Sequence, residues 1–441
     1  MSVSRRLARA PELAALHARA PAEWPFLLES TSRGGRLGRW SMLLHATEGS
    51  SPLLTASGNA AGFLERLDTA WRAERSVQLD RLPFEGGWFL YLGYELAAGI
   101  EPRLQLPAAD DGLPVALAQR CDAAVQIDHQ HDEAWLVAEN HTLLDAAANF
   151  VDASISAAPA ETSEVTPIRL QPEDGDRFKR GVEQIRDYIL AGDVFQVNLS
   201  RAWTGTAAAA LDPVAIHRRL ARANPAPFAG LARLPGGTLL SSSPERLVAV
   251  HNGVAQVRPI AGTRPRGLSE AQDQALSKEL LGHPKERAEH IMLIDLERND
   301  LGRICIPGTV RVDELMTIES YAHVHHIVSN VVGRLVPDHS PGDIIRAVFP
   351  GGTITGCPKV RCMEIIAELE QHGRSFYTGA MGYLGLDGRM DLNILIRSML
   401  VSGAAIHFRT GAGIVTDSEP DAELAETEAK ACGLSRALIE T

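Results

Sequence analysis

The chain has 441 residues, room for two or three ordinary domains or one large compound one. A hydrophobic fraction of 45%, a charged fraction of 22% and a formal net charge of −12 describe an acidic globular chain and argue against a nucleic-acid partner, because phosphate binding needs a basic face. Scattered cysteines without Cys-x-x-Cys spacing, no apolar leader and no run near the ~18 apolar residues of a membrane span point to reduced thiols and a cytoplasmic, membrane-free location.

In chain order, strand-like pieces come first, at Trp24–Glu29, Trp40–His45, Gly87–Leu92 and Ala124–Asp128. Residues 152–176 are poor in large apolar side chains and rich in Ala, Ser, Glu and Pro. They read as a linker between an amino-terminal region, 1–151, and a longer motif-dense region, 177–441. Phe178, Val182, Ile185 and Ile189 fall at helical spacing, and Gly192-Asp193 ends that helix. Val194–Arg201 follows as a period-2 strand, with Phe195, Val197 and Leu199 on one side and Gln196, Asn198 and Ser200 on the other. Such a polar second face is either solvated or a pocket wall.

Arg258-Pro-Ile-Ala-Gly-Thr-Arg-Pro-Arg-Gly267 reads as a strand running into a Gly-Thr turn crowded by arginines. Gly262 lets backbone N–H groups approach a ligand, Thr263 adds a hydroxyl, and Arg258, Arg264 and Arg266 supply positive charge. The combination suits a small carboxylate. Pro284 opens a helix to about Asn299 that places Glu286 and Glu289 on one face. Strands are expected at His323–Leu335, Thr378–Leu386, Met390–Val401 and Ala404–Thr410, the last three as a meander. Hairpins interleaved with long helices argue an α+β fold. Within His323–Ser329, strand alternation sends His325 and His326 to opposite faces. Residues 351–359 are not a nucleotide loop, since Gly356 precedes Cys-Pro-Lys rather than Gly-Lys-Ser/Thr. On the last helix Glu423 and Glu426 share a face, with Lys430 one turn on. Convergence of the two glutamate pairs needs a cation, and oxygen-only ligation selects Mg2+.

Ser243-Pro-Glu245, the 258–267 stretch, Phe349–Lys359 and the last helix occur in this order in one family. Over nearly all of residues 80–440 the chain resembles the chorismate-utilising enzymes, specifically the amine-transferring branch of aminodeoxychorismate synthase component I and anthranilate synthase component I. The resemblance implies two stacked antiparallel sheets covered by helices, with the amino-terminal segment in the same compound core. It implies chorismate as substrate, its ring carboxylate held by a Mg2+ on Glu286, Glu289, Glu423 and Glu426, with Gly262, Thr263 and Lys430 as substrate-binding residues. Tyr377 and Arg397 match positions that grip the enolpyruvyl carboxylate, to which Gly411-Ala-Gly413 would offer backbone N–H groups. His326 matches a proton donor to the C4 hydroxyl, Thr353 a residue beside it, and Glu245 an acid/base carboxylate. Gln196 stands where water-adding relatives carry a lysine base, so ammonia is the implied nucleophile.

The chain has no Gly-x-Cys-x-Gly elbow for glutamine hydrolysis, which implies ammonia from solution or from a glutaminase subunit. Leu82-Pro-Phe-Glu-Gly-Gly87, Leu92-Gly-Tyr-Glu95 and Gln196-Val-Asn-Leu-Ser200 resemble the C4-aminating branch of para-aminobenzoate and folate synthesis. Ala261 departs from it: many of those enzymes have a covalent lysine there, and alanine is usual in the C2-aminating branch. Leu27-Leu-Glu-Ser30 resembles that branch's tryptophan-binding motif, with Glu29 and Ser30 as its site residues.

Overall fold

The computed structural model describes residues 2–32, 37–47, 49, 54–56, 61–76, 82–156, 168–320 and 324–438. Long helices and antiparallel strands make an α+β fold, and no helix among the described residues is long and apolar enough to cross a membrane. The described strands join one hydrogen-bonded network with strand Ala116–Asp128 as its hub. The hub's first half pairs with Gly87–Leu92 and its second half with Trp40–Ala46.

From Gly87–Leu92 one arm runs through Ala380–Gly385, Met390–Ile394, Arg246–His251, Val254–Val257 and Val324–Arg334. From Trp40–Ala46 the other runs through Phe26–Glu29, Phe228–Leu234, Gly237–Ser243, Ser398–Ser402, Ala405–Ile414 and Gln196–Thr206. Each arm therefore begins on strands from before the expected linker and continues on strands from after it. The start of that linker, 152–156, ends helix His141–Ser156, and 157–167 lie outside the described residues.

Side chains of the two arms meet in a shared apolar layer. Phe26 of one stacks on Phe89 of the other with centroids 3.8 Å apart, and Leu239 and Leu400 pack with Tyr91 and Met381. Helices Gly175–Leu190 and Lys359–Glu370 cover strand Gln196–Thr206 through Val182, Ile185, Ile365 and Leu199. Helix Pro420–Leu438 covers Ala405–Ile414 through Leu434 and Phe408, and helix Pro213–Ala223 packs beside it, over Phe228–Leu234 and Gly237–Ser243, through Leu220. Helix Pro284–Gly302 packs Ile294 and Leu301 against Val331 of the first arm. It starts where expected, with Pro284 in its first turn and the His283 ring accepting the Glu286 N–H at 3.4 Å.

Two expectations about strands need correction. Met390–Val401 is two strands, Met390–Ile394 and Ser398–Ser402, because Arg397 takes a left-handed φ of 52° between them. The break lets the first pair with Arg246–His251 and the second with Gly237–Ser243. Phe195 does not share the buried face of Val197 and Leu199. It precedes the strand and is 68% exposed. The strand expected from His323 begins at Val324, and His323 itself lies outside the described residues.

Candidate active site

Strand Gln196–Thr206 turns its polar face into the molecule. Asn198 and Ser200 are buried and Gln196 is half-buried. Ala405–Ile414 pairs along one edge, and Gly356–Cys357 bridges to Gln196 and Val197. Two glycines of the neighbouring strand make room for these side chains. A Cβ on Gly413 would strike Gln196 Nε2, and one on Gly411 would lie 2.7 Å from Tyr377 Oη and 3.0 Å from Asn198 Oδ1. Gln196, Asn198, Tyr377 and the glycine strand thus converge. The Gln196 Oε1 and Asn198 Oδ1 atoms are buried with no hydrogen-bond partner, leaving two acceptors for N–H groups of a small ligand.

Glu245 follows strand Gly237–Ser243 and is almost fully buried. The Thr353 hydroxyl donates to its Oε1 at 2.6 Å. Burial pushes the carboxyl up to about 7, against the opposing pull of Thr353 and Lys430. Thr353 is presented by the short 3-10 turn Gly352–Ile354. Burial also pushes the Tyr377 phenol up to about 12 and makes the Arg397 guanidinium less basic. Arg397 donates to the Lys430 carbonyl at 2.8 Å, and no carboxylate among the described residues is ion-paired with it. A half-buried guanidinium so placed suits an anionic ligand. Lys430 Nζ bonds the Gly411 carbonyl at 2.8 Å and Glu426 at 2.6 Å.

Gly262 takes a left-handed φ of 65° at a bulge between Ala261 and Thr263, and a Cβ there would sit 2.7 Å from Glu286 Oε2. The Thr263 side chain lies outside what the structure describes. His326 Nδ1–H donates to the Gly262 carbonyl at 3.2 Å, which leaves Nε2 as an acceptor. Burial, helped by Arg397, pushes its pKa down to about 4, so the ligand-free ring is neutral at pH 7 rather than the imidazolium expected of a proton donor. His325 faces the other way, buried against Asp273 at 2.9 Å and Ser320 at 2.7 Å.

The arginines expected to bind a carboxylate are held by the protein's own. Arg258 pairs with Glu314 and Glu319, Arg264 with Glu279 and Glu286, and Arg266 with Asp273. Their positive charge is neutralised locally, which the sequence pattern alone did not reveal.

Glu286 and Glu289 on helix Pro284–Gly302, with Glu423 on helix Pro420–Leu438, are half-buried, and Glu426 is exposed. Among the described residues no three His, Cys, Asp or Glu side chains gather closely enough to hold a metal ion. The donor set is carboxylate only, which fits a hard divalent cation in chemistry. Such a cation would compete with Arg264 for Glu286 and with Lys430 for Glu426.

Sequence reading missed a buried group beside Thr353. Glu297 is 6% exposed, with its carboxylate against Gly352, and nearby Lys359 bonds Asp300 at 2.5 Å. Helical spacing could have found it, since Glu289, Leu293 and Glu297 recur every four residues along one face. An apolar groove of about 770 Å³ opens on the outer side of Lys359, lined by Phe195, Ile291, Leu296 and Pro350. In the amino-terminal region, Glu29 accepts from His217 at 2.9 Å and borders a pocket of about 230 Å³ with Met42 and Phe228. Ser30 is buried, its N–H bonded to Ser41 Oγ at 3.0 Å.

A model of the chorismate binding enzymes matches residues 31–436. An anthranilate synthase component I-like protein of Synechocystis is 46% identical over 361 residues, which span 81% of this chain and 74% of that protein. The aminodeoxychorismate synthase component 1 of Bacillus subtilis is 41% identical over 365 residues, spanning 80% of this chain and 77% of its own. The crystal structure of anthranilate synthase component I from Streptococcus pneumoniae superposes with a TM-score of 0.80 at 30% identity, covering 91% of this chain and 93% of that one. Since the match runs through every strand, helix and glycine turn that builds the site, this chain belongs to the family of chorismate binding enzymes.

Proposed function

We propose that the chain aminates chorismate with ammonia. The observation that carries this reading is the Glu245–Thr353 pair, a buried carboxyl tuned to about 7 that can accept a proton at neutral pH. It is read together with Gln196, whose side chain can orient ammonia but cannot deprotonate water. Arg397, Tyr377, Lys430 and the Gly413 backbone would hold the enolpyruvyl carboxylate, and Gly262 with Thr263 the ring carboxylate. Glu286, Glu289, Glu423 and Glu426 would hold Mg2+, which when bound supplies charge stabilisation to the ring carboxylate. Carboxylates of the substrate beside His326 favour its protonated form, offsetting the burial that keeps the free ring neutral, and the imidazolium can then protonate the departing hydroxyl. The chain lacks a thiol elbow, so a glutaminase subunit would deliver ammonia from glutamine.

We favour amination at C4, to 4-amino-4-deoxychorismate, on the strength of Leu82–Gly87, Leu92–Glu95 and the Gln196-Val-Asn strand. Ala261 favours a second reading, amination at C2 with loss of pyruvate to give anthranilate, because a methyl group cannot attack C2 covalently. The similarity to an anthranilate synthase component I-like protein supports that reading as well. Product analysis with chorismate, Mg2+ and ammonium separates them. An aminated product that keeps its enolpyruvyl group supports C4, whereas fluorescent anthranilate with free pyruvate establishes C2. Isochorismate alone, or no turnover, sinks both. Glu29 and Ser30 remain our candidates for a tryptophan site, to be tested by calorimetric titration with tryptophan.

A further inference from the structure

Glu297 has no part in the roles above, yet its carboxyl is shut away from water. It sits two turns beyond Glu289 on helix Pro284–Gly302. Its carboxylate lies against the Gly352 backbone, where a Cβ on Gly352 would come within 3.3 Å of Glu297 Oε1. Thr353 is the next residue, and its hydroxyl reaches the other way to Glu245. The glycine turn is therefore held between two buried carboxyls.

The charges that face Glu297 are Asp300 on its own helix, Lys359 on helix Lys359–Glu370, and Glu245 across the turn. Arg303 lies beyond Asp300, and Lys430 beyond Glu245. Asp300 and Lys359 are directly paired and offset each other. That leaves Glu245 and Glu297 as two buried carboxyls held against one glycine turn, a situation in which two carboxyls do not readily ionise together.

We propose that Glu297 is a positioning residue for this amination: it keeps a proton, so that Glu245 is the one ionised carboxyl at the Thr353 turn and receives the proton that ammonia sheds. The inference rests on the amination reading above. Burial raises both groups, and the hydroxyl that Thr353 donates to Glu245 favours Glu245 as the one that ionises first. The exchange of hydroxyl for amine then balances. The nitrogen lone pair forms the C–N bond, the C–O electrons leave with oxygen, one proton passes from nitrogen to Glu245, and one passes from His326 to oxygen. Glu297 keeps its proton throughout.

The test compares the full chain with Glu297→Gln, which preserves shape and fixes the neutral form. Infrared difference spectra of the ligand-free proteins, from about pH 5 to pH 9, should include buried carboxylic-acid bands of Glu95, Glu245 and Glu297 in the parent. The band that titrates last should be lost in Glu297→Gln, and the others should keep their midpoints. Above the upper midpoint of the parent, ammonia-dependent turnover, expressed per free ammonia, should fall more steeply with pH in the parent than in the variant, the fall they share being loss of the His326 proton. A last-titrating band that persists in Glu297→Gln, or rate profiles of unchanged shape at full or reduced rate, would overturn the proposal. If the parent makes no amine from chorismate, the amination reading falls, while the infrared bands still decide whether Glu297 holds the proton.

Discussion

Replacing Glu245 by glutamine should stabilise the fold at alkaline pH while abolishing turnover. Burial raises the carboxyl from 4.5 to about 7, so the folded state prefers its protonated form. Stability from this group is fully present below the unfolded-state value and is lost as pH rises through about 7. With about 1.4 kcal/mol per unit, the parent loses about 3 kcal/mol by pH 8, of which about 2.5 kcal/mol falls between pH 5 and pH 8. Glutamine cannot ionise and loses none of it. Its NH2 group leaves one more donor to satisfy beside Thr353, at roughly 1–2 kcal/mol, but that cost does not depend on pH. The slope therefore carries the test. Urea unfolding of both proteins at about pH 5 and pH 8 should show the variant-minus-parent difference growing by about 2.5 kcal/mol. A difference constant to within about 0.5 kcal/mol would mean that Glu245 ionises freely in the fold, and its role as a tuned proton acceptor would go with it.

Further expectations concern the rest of the site. Gly262→Ala forces a methyl group into a left-handed position against Glu286 and should cost about 1–2 kcal/mol with weaker chorismate binding, and an unchanged melting temperature and affinity would contradict the close approach. Arg397→Lys should raise the KM for chorismate by about 100-fold, since a buried forked contact to a carboxylate is lost, and steady-state kinetics with an unaltered KM would remove Arg397 from the binding site. The purified chain should use ammonium but not glutamine, and glutamate released by the chain alone would refute the need for a partner. Intact-mass spectra with chorismate and Mg2+ but no ammonia should show no adduct, whereas one mapped to a lysine would restore a covalent route despite Ala261.

Local chemistry made much of the fold readable. Pro284 at a helix start and the apolar spacing of Phe178, Val182 and Ile185 each act within one or two turns, and the helices appear where those signals place them. The strand hub Ala116–Asp128 was recognised only from Ala124 onward. Its earlier half, Ala116-Leu-Ala-Gln-Arg-Cys-Asp, carries no clean alternation because that stretch is flanked by strands on both edges and buried on both faces. The break at Arg397 was unreadable for a different reason: a left-handed arginine has no local signature, and its conformation is imposed by the two strands it connects. In the site, the motifs drew attention to Glu245, Thr353 and Gln196, and the glycines opposite them explain the spacing. Charge was misread where sequence counts residues but not partners. Arg258 finds its carboxylates, Glu314 and Glu319, on a strand that chain order keeps more than fifty residues away.

Those neutralised arginines have a kinetic corollary. A guanidinium clamped to a carboxylate presents little field beyond a few ångströms, so the basic loop cannot reel in a dianion from a distance. What an approaching chorismate meets from afar is a protein of net charge −12. Encounter is then opposed at long range and rewarded only on contact, where Arg397 lies ready. Added salt shortens the reach of the repulsion, with a Debye length of about 10 Å at 0.1 M, and leaves the buried contact nearly untouched. Chorismate association should therefore quicken, not slow, as ionic strength rises, the reverse of an enzyme that steers its substrate with an open positive mouth.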